Sequence, residues 1–139
     1  MPSSEDRPER NRRRIGLLLP SSNTTQEPEF THILPDEVTL HVARLPLRTV
    51  DPSSTARIVE DIETESQKLA DADVDAIVLA ATAPSSRNGI GYDQELIQRI
   101  ESASGRKATT ASTALIQALK ALDVKRLVIG APWSDATNT

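Results

Sequence analysis

Arg14-Ile15-Gly16-Leu17-Leu18-Leu19-Pro20-Ser21-Ser22-Asn23-Thr24-Thr25 is the stretch on which the reading of the fold turns. Its apolar run ends at a proline and opens directly into five consecutive hydroxyl or amide side chains. A short apolar run bounded by turn residues predicts a buried strand, here one that delivers a polar loop. The design returns as Arg126-Leu127-Val128-Ile129-Gly130-Ala131-Pro132-Trp133-Ser134-Asp135-Ala136-Thr137. Arg14, Pro20, Ser22 and Thr25 each find the same residue type 112 positions further on. Any two strand-to-loop transitions share an apolar run, but the constant offset favours an internal repeat. The chain is therefore expected to begin a second copy of its own first unit.

Composition narrows the possibilities. The 139 residues fit one ordinary domain with a real core. Apolar content is 37% and the only aromatics are Phe30, Tyr92 and Trp133, so Leu, Ile, Val and Ala must fill the interior. A net charge of −4 without an extended basic face argues against nucleic acid as a partner. No cysteine is present, which removes disulfides, thiolate metal sites and a thiol nucleophile from these residues. Residues 1–13 alternate acids and arginines around two prolines and read as a disordered charged tail. Ile15 to Leu19 is too short for a signal-peptide core and no segment reaches membrane-spanning length, so a soluble, cytoplasmic protein is expected.

Outward from the first strand, Thr24 or Thr25 is positioned to cap a short helix through Leu34, with Glu27 and Glu29 in its first turn. Val38 to Leu45 is β-rich and predicts a second strand, possibly at a sheet edge. Asp51-Pro52 opens a helix whose inner stripe is Ile58, Val59, Ile62 and Leu69. Val74 to Ala81 predicts a third strand covered on both faces. Asp71, Asp73 and Asp75 read as a solvated turn before it. After Asn88-Gly89-Ile90-Gly91 comes a helix from about Asp93 to Ser104, stopped by Gly105. A short extended piece, Arg106 to Thr110, precedes a helix capped near Ser112 and expected to bury Leu115, Ile116, Leu119 and Leu122. Lys125 to Ala131 is expected to be the final strand. Strands alternating with helices imply an α/β fold, an open parallel flavodoxin-like sheet flanked by helices. The domain is expected over 14–124, and 125–139 as the first strand of a second α/β unit.

In such sheets ligands bind beyond the carboxyl ends of the strands. Those ends here are Ser21 to Thr25, Thr82-Ala83-Pro84-Ser85-Ser86, Thr109-Thr110-Ala111-Ser112-Thr113 and Pro132-Trp133-Ser134-Asp135, all crowded with hydroxyls. Hydroxyl donors and backbone N–H groups at helix starts suit a small anion, most naturally a carboxylate. Serine and threonine are also ordinary helix caps, so each loop alone carries little weight. No phosphate-binding glycine motif follows a strand, and His32 and His41 stand isolated, so neither a nucleotide nor a metal is indicated.

The residues quoted from Arg14-Ile15-Gly16 to Thr25, with Glu27 and Glu29, resemble the opening of the maleate cis-trans isomerases. These belong to the aspartate/glutamate racemase superfamily, together with the arylmalonate decarboxylases. The resemblance continues through Gly91-Tyr92-Asp93-Gln94-Glu95-Leu96-Ile97 and Thr109 to Ala114, and closes at Ala131-Pro132-Trp133-Ser134-Asp135. It implies one half of a pseudo-twofold, two-domain racemase-type fold, with a small dicarboxylate held between halves and no metal or organic cofactor. It implies ligand contacts at Ser22, Asn23, Thr82, Ala83, Ser112, Thr113 and Trp133. In the family each half of an isomerase supplies a cysteine; the first should fall at Ala81, and alanine is no nucleophile. The decarboxylases also lack that first cysteine. Trp133 stands where the family has a tyrosine, keeping a donor but losing an acceptor. The expectation is thus the N-terminal half of a maleate isomerase-like protein, without certain catalytic residues and inactive by itself. Alternatives are an arylmalonate decarboxylase-like fragment, or a non-catalytic module that binds a small carboxylate. Expected partners are a small dicarboxylate and either a second copy, as a homodimer, or a separate C-terminal half, with no nucleic acid or membrane.

Overall fold

A computed structural model describes residues 12–47, 52–86 and 88–130. The elements run β1 (Arg13–Pro20), α1 (Gln26–Ile33), β2 (Val38–Leu45), α2 (Pro52–Glu60), α3 (Ile62–Asp71), β3 (Ala76–Leu79), α4 (Thr82–Ser86), α5 (Tyr92–Ser104), β4 (Lys107–Thr110) and α6 (Ala111–Ala121). All strand pairs are parallel and the order is β2-β1-β3-β4. This is the open doubly wound sheet that the alternation of elements implied, with β2 at an edge as expected.

β1 is central because Leu17, Leu18 and Leu19 are all fully buried, which only a strand covered on both faces allows. Leu18 packs with Ile58, Ile62, Ile77, Leu79, Leu96 and Ile100 under α2, α3 and α5. Leu17 and Leu19 turn to the other face, beside Ala80, with Phe30, Leu40, Val42 and Val78 only partly buried around them. Gly16 lets α3 approach β1, since an added Cβ would sit 3.1 Å from Leu69 and 3.2 Å from Val74. At the amino edge of the sheet, Asp73 binds Arg106 at 2.7 Å and lies 3.6 Å from Arg14. Asp75 accepts from the Arg14 backbone N–H at 2.8 Å. The aspartate turn read as solvated is thus also an ion-paired clasp.

Several expectations change in detail. The tail boundary moves, because Arg13 already belongs to β1; residues 1–11 lie outside the described part. The long helix from Pro52 is two helices broken at Asp61, a residue type that competes poorly for helix interiors. Asp51, its expected cap, lies outside the described residues. The third strand shortens to Ala76–Leu79, and β4 forms where only an extended piece was expected. Thr25 stands at the N-cap of α1, one of the two expected positions, but its side chain makes no capping bond; Asn23 Oδ1 accepts instead from Gln26 N at 2.9 Å and Thr25 N at 3.0 Å. Ser112 does not cap α6; Thr110 does, because it ends β4 in extended geometry and its hydroxyl accepts from Thr113 N at 3.1 Å.

The largest departures lie at the end of the chain. Leu115, Ile116 and Leu122 are exposed, and Thr113 is the one buried side chain of α6. The apolar stripe expected to be inside has no cover among the described residues. Residues 124–130 have no regular secondary structure, so the strand expected over Lys125 to Ala131 is not formed, and Ala131 lies beyond the described part. No helix among the described residues is long and apolar enough to cross a membrane.

Candidate functional site

In the order β2-β1-β3-β4, the chain leaves β1 to one side and reaches β3 on the other, so the switch point lies between β1 and β3. Loops diverge there and leave a crevice beyond the carboxyl ends of the strands. Its two walls are Ser21 to Thr25 and Ala80 to Ala83. They are locked together by the Ala80 N–H, which donates to Leu18 O at 2.9 Å.

The first wall is held from below. Ser21 Oγ donates to Leu47 O at 3.2 Å and accepts from Leu47 N at 3.0 Å, which ties the end of β1 to the end of β2. Arg44 of β2 donates to Ser21 O at 3.2 Å and Asn23 O at 3.0 Å, and pairs with Glu27 at 2.5 Å. With its Oδ1 committed to the start of α1, planar geometry turns the Asn23 Nδ2 donor away from the helix. Ser22 beside it is exposed.

The second wall begins at Ala81, 5% exposed, at the end of β3. Ser85 N donates to Ala81 O at 3.3 Å, the first turn of α4. The N–H groups of Thr82 and Ala83 precede that bond and so have no intrahelical acceptor; Pro84 has none to satisfy. Thr82 O is occupied by the hydroxyls of Ser85 and Ser86, at 2.9 and 3.1 Å. Ser22 and Asn23 thus follow β1, and Thr82 and Ala83 follow β3, on the two separate loops at the switch point.

Ser112 and Thr113 are placed differently. Because Ser85 spends its proton on Thr82 O, the 2.6 Å contact between Ser85 and Ser112 must be donated by Ser112. Thr113 Oγ1 donates to Asp93 through a short hydrogen bond and receives from Thr110 Oγ1 at 3.0 Å and Gln94 Nε2 at 3.3 Å. The Thr113 hydroxyl, bonding chiefly Asp93, and then the Gln94 amide hold the Asp93 carboxyl below its ordinary value of 3.8, against a smaller opposing effect of burial. The hydroxyl protons of Ser112 and Thr113 are therefore already donated within the protein. A groove of about 350 Å³ between Ser85, Ile90, Asp93, Ser112 and Ile116 is lined by acceptors and apolar groups, a poor setting for an anion. Either hydroxyl, Ser112 or Thr113, would have to give up its present partner to donate to a ligand. Trp133, the remaining expected contact, lies outside the described residues.

Sequence reasoning missed Arg44, and it quoted Ser85 in a strand-end loop and Asp93-Gln94 in the resemblance without naming them as contacts. Arg44 gives a signal only once β2 is known to align with β1, where it falls opposite Leu19. Position 81, where the resemblance puts a cysteine, is alanine, which cannot act as a nucleophile.

With the geometry in hand, comparison with known proteins adds three kinds of match. The model of the arylmalonate decarboxylase family matches residues 15–139. The maleate isomerase of Pseudomonas putida is 30% identical over 132 residues, covering 86% of this chain and 53% of that protein. The crystal structure of a cysteine-to-alanine variant of the Pseudomonas putida maleate isomerase Iso, solved with maleate, superposes with a TM-score of 0.84 at 26% identity, over 91% of this chain and 55% of that one. A Nocardia farcinica maleate cis-trans isomerase variant with a covalently bound succinylcysteine intermediate superposes with a TM-score of 0.72 at 28% identity, over 80% of this chain and 49% of that one. The chain spans about half the length of the curated relatives it matches.

Proposed function

The chain belongs to the arylmalonate decarboxylase family, and from that premise we propose that its β1–β3 crevice binds one carboxylate of a small dicarboxylic acid, as the N-terminal half of a maleate isomerase-like site. What supports this reading is the placement of Ser22 and Asn23 directly after β1 and of Thr82 and Ala83 directly after β3, on the two loops that flank the switch point. In this reading Arg44 holds the first wall, and Ser112 and Thr113 act indirectly by fixing α4 and Asp93. Isomerisation needs a thiolate to add to the double bond, so any turnover depends on a cysteine from outside these 139 residues. A cytoplasmic location goes with this reading, since a chain without cysteine makes no use of an oxidising compartment.

Ala81 favours a second reading, an arylmalonate decarboxylase-like enzyme half, because that chemistry dispenses with the first cysteine. A domain that binds a carboxylate without converting it is the third. Titrating maleate, malonate and aspartate into isotopically labelled chain separates binding from its absence, and following maleate and malonate by proton NMR reports turnover. Millimolar maleate is expected to shift the amides of Asn23, Thr82 and Ala83, with no fumarate formed. Shifts from malonate alone favour the second reading. Unmoved amides with all three acids would sink the site.

A further inference from the structure

None of the eight residues of α1 is buried, and its contact with the sheet is the partly buried Phe30. A helix of that length has little stability of its own, so without a packed face it must be held by its ends. The hold on its first turn is polar. Glu27, in that turn, pairs with Arg44 of β2 at 2.5 Å. Arg44 Nη1 also donates to Ser21 O at 3.2 Å and to Asn23 O at 3.0 Å. One guanidinium thus joins the end of β2, the loop after β1 and the start of α1. Asn23 is engaged on its other sides too. Its N–H donates to Pro20 O at 2.9 Å, and its Oδ1 accepts from the N–H groups of Gln26 and Thr25. Both Nη atoms of Arg44 are committed and its charge is set against Glu27, so it is poorly placed to seize a ligand directly.

We propose that Arg44, steadied by Glu27, is the positioning residue of the crevice: it fixes Ser21 to Asn23 before any ligand arrives, and so decides how tightly a small dicarboxylate is held. A loop already ordered pays less on binding than one that must be ordered by the ligand. The planar fork suits the task, because one rigid group reaches two carbonyls and a carboxylate in fixed directions. Its effect on binding rests on the carboxylate reading of the crevice; its hold on the loop does not.

NMR order parameters of the backbone amides, with a maleate titration of the same 139-residue chain, test this. In the ligand-free chain Ser22 and Asn23 are expected to be as rigid as β1, with order parameters near about 0.85. The Arg44 and Glu27 side chains are 42% and 41% exposed, so replacing either strands no buried charge. Arg44→Met should lower the two order parameters towards about 0.6 and leave the amides of Leu17 to Leu19 and the far-UV circular dichroism unchanged. Maleate should bind it roughly tenfold more weakly, the scale of ordering about one more residue on binding. Arg44→Lys keeps the charge without the fork and should resemble Arg44→Met. Glu27→Met, which removes no side-chain bond to the loop itself, should loosen the same two amides. A loop that stays rigid in Arg44→Met, or that is fully rigid in Arg44→Lys, would overturn the proposal. So would loosening spread evenly through β1, or unchanged maleate affinity in a variant whose loop has loosened. A wild-type chain that ignores maleate would sink the carboxylate reading, and the order parameters would still decide whether Arg44 holds the loop.

Discussion

Asn23 does two jobs with one side chain, and the two ends of its amide separate them. Its Oδ1 closes the start of α1, and in the proposed reading its Nδ2 donates to the ligand. Asn23→Ala removes both and should cost about 1 kcal/mol of stability, the usual worth of a cap, as read by urea unfolding. Asn23→Asp keeps the acceptor at a helix start, so stability should hold while maleate binding weakens, because a donor has become a negative charge. Equal stability loss in both variants would mean the amide nitrogen matters to the fold and not to the ligand. Asp93 makes a pH-dependent contribution. Its carboxyl is lowered in the folded state, so the stability it adds is complete above its ordinary 3.8 and is lost as pH falls through the lowered value. Asp93→Asn and Thr113→Val should each flatten the acid limb of the stability profile, measured by urea unfolding from pH 5 downward. An unchanged limb in both would show that the Thr113 contact does not perturb the acid. The hydroxyl-rich loops were legible in the sequence, but the direction of their protons was not. That depends on Ser85 meeting Ser112 and Thr113 meeting Asp93, contacts between positions twenty or more residues apart.

At the scale of elements, the close passage of α3 over β1 is set by Gly16. A methyl group there would meet Leu69, Val74 and Ile77 at 3.1 to 3.3 Å, three side chains that are themselves buried. Gly16→Ala should destabilise by roughly 1–3 kcal/mol, the cost of overpacking a tight interior, and lower the urea midpoint without changing the slope. A neutral result would show that Leu69 has room to move. Strands and helices could be read from apolar spacing wherever that spacing records burial in this chain, as at Leu17 to Leu19 and Ile58 to Leu69. The same spacing in α6 misled for a physical reason. Periodicity reports which face avoids water, not which neighbour covers it, and α6 presents Leu115 and Leu122 to no neighbour among the described residues. The break at Asp61 escaped notice because the stripe of Ile58, Val59 and Ile62 runs through it without a change of phase.

Taken whole, the molecule is asymmetric: one face of the sheet carries a closed core under α2, α3 and α5, and the other a thin layer around Phe30. The parallel open sheet was implied by the alternation of elements and the handedness of crossovers, whereas the irregular course of residues 124–130 was not. The strand order also governs events in time. β1 is made first, yet its neighbours arrive at very different moments, β2 from residue 38 and β3 only from residue 76. Until Ala76 to Leu79 emerges during synthesis, the row of leucines in β1 has one open flank. Pairing across sixty residues is slow compared with pairing across twenty-five. A nascent chain in which β2 has paired and β3 has not would carry an exposed apolar edge, the kind of surface that chaperones bind. Substitutions in β3 that weaken its grip on Leu17 and Leu18 would prolong that state, so their first symptom in a cell would be a lower yield of folded protein, ahead of any change in what the folded protein does.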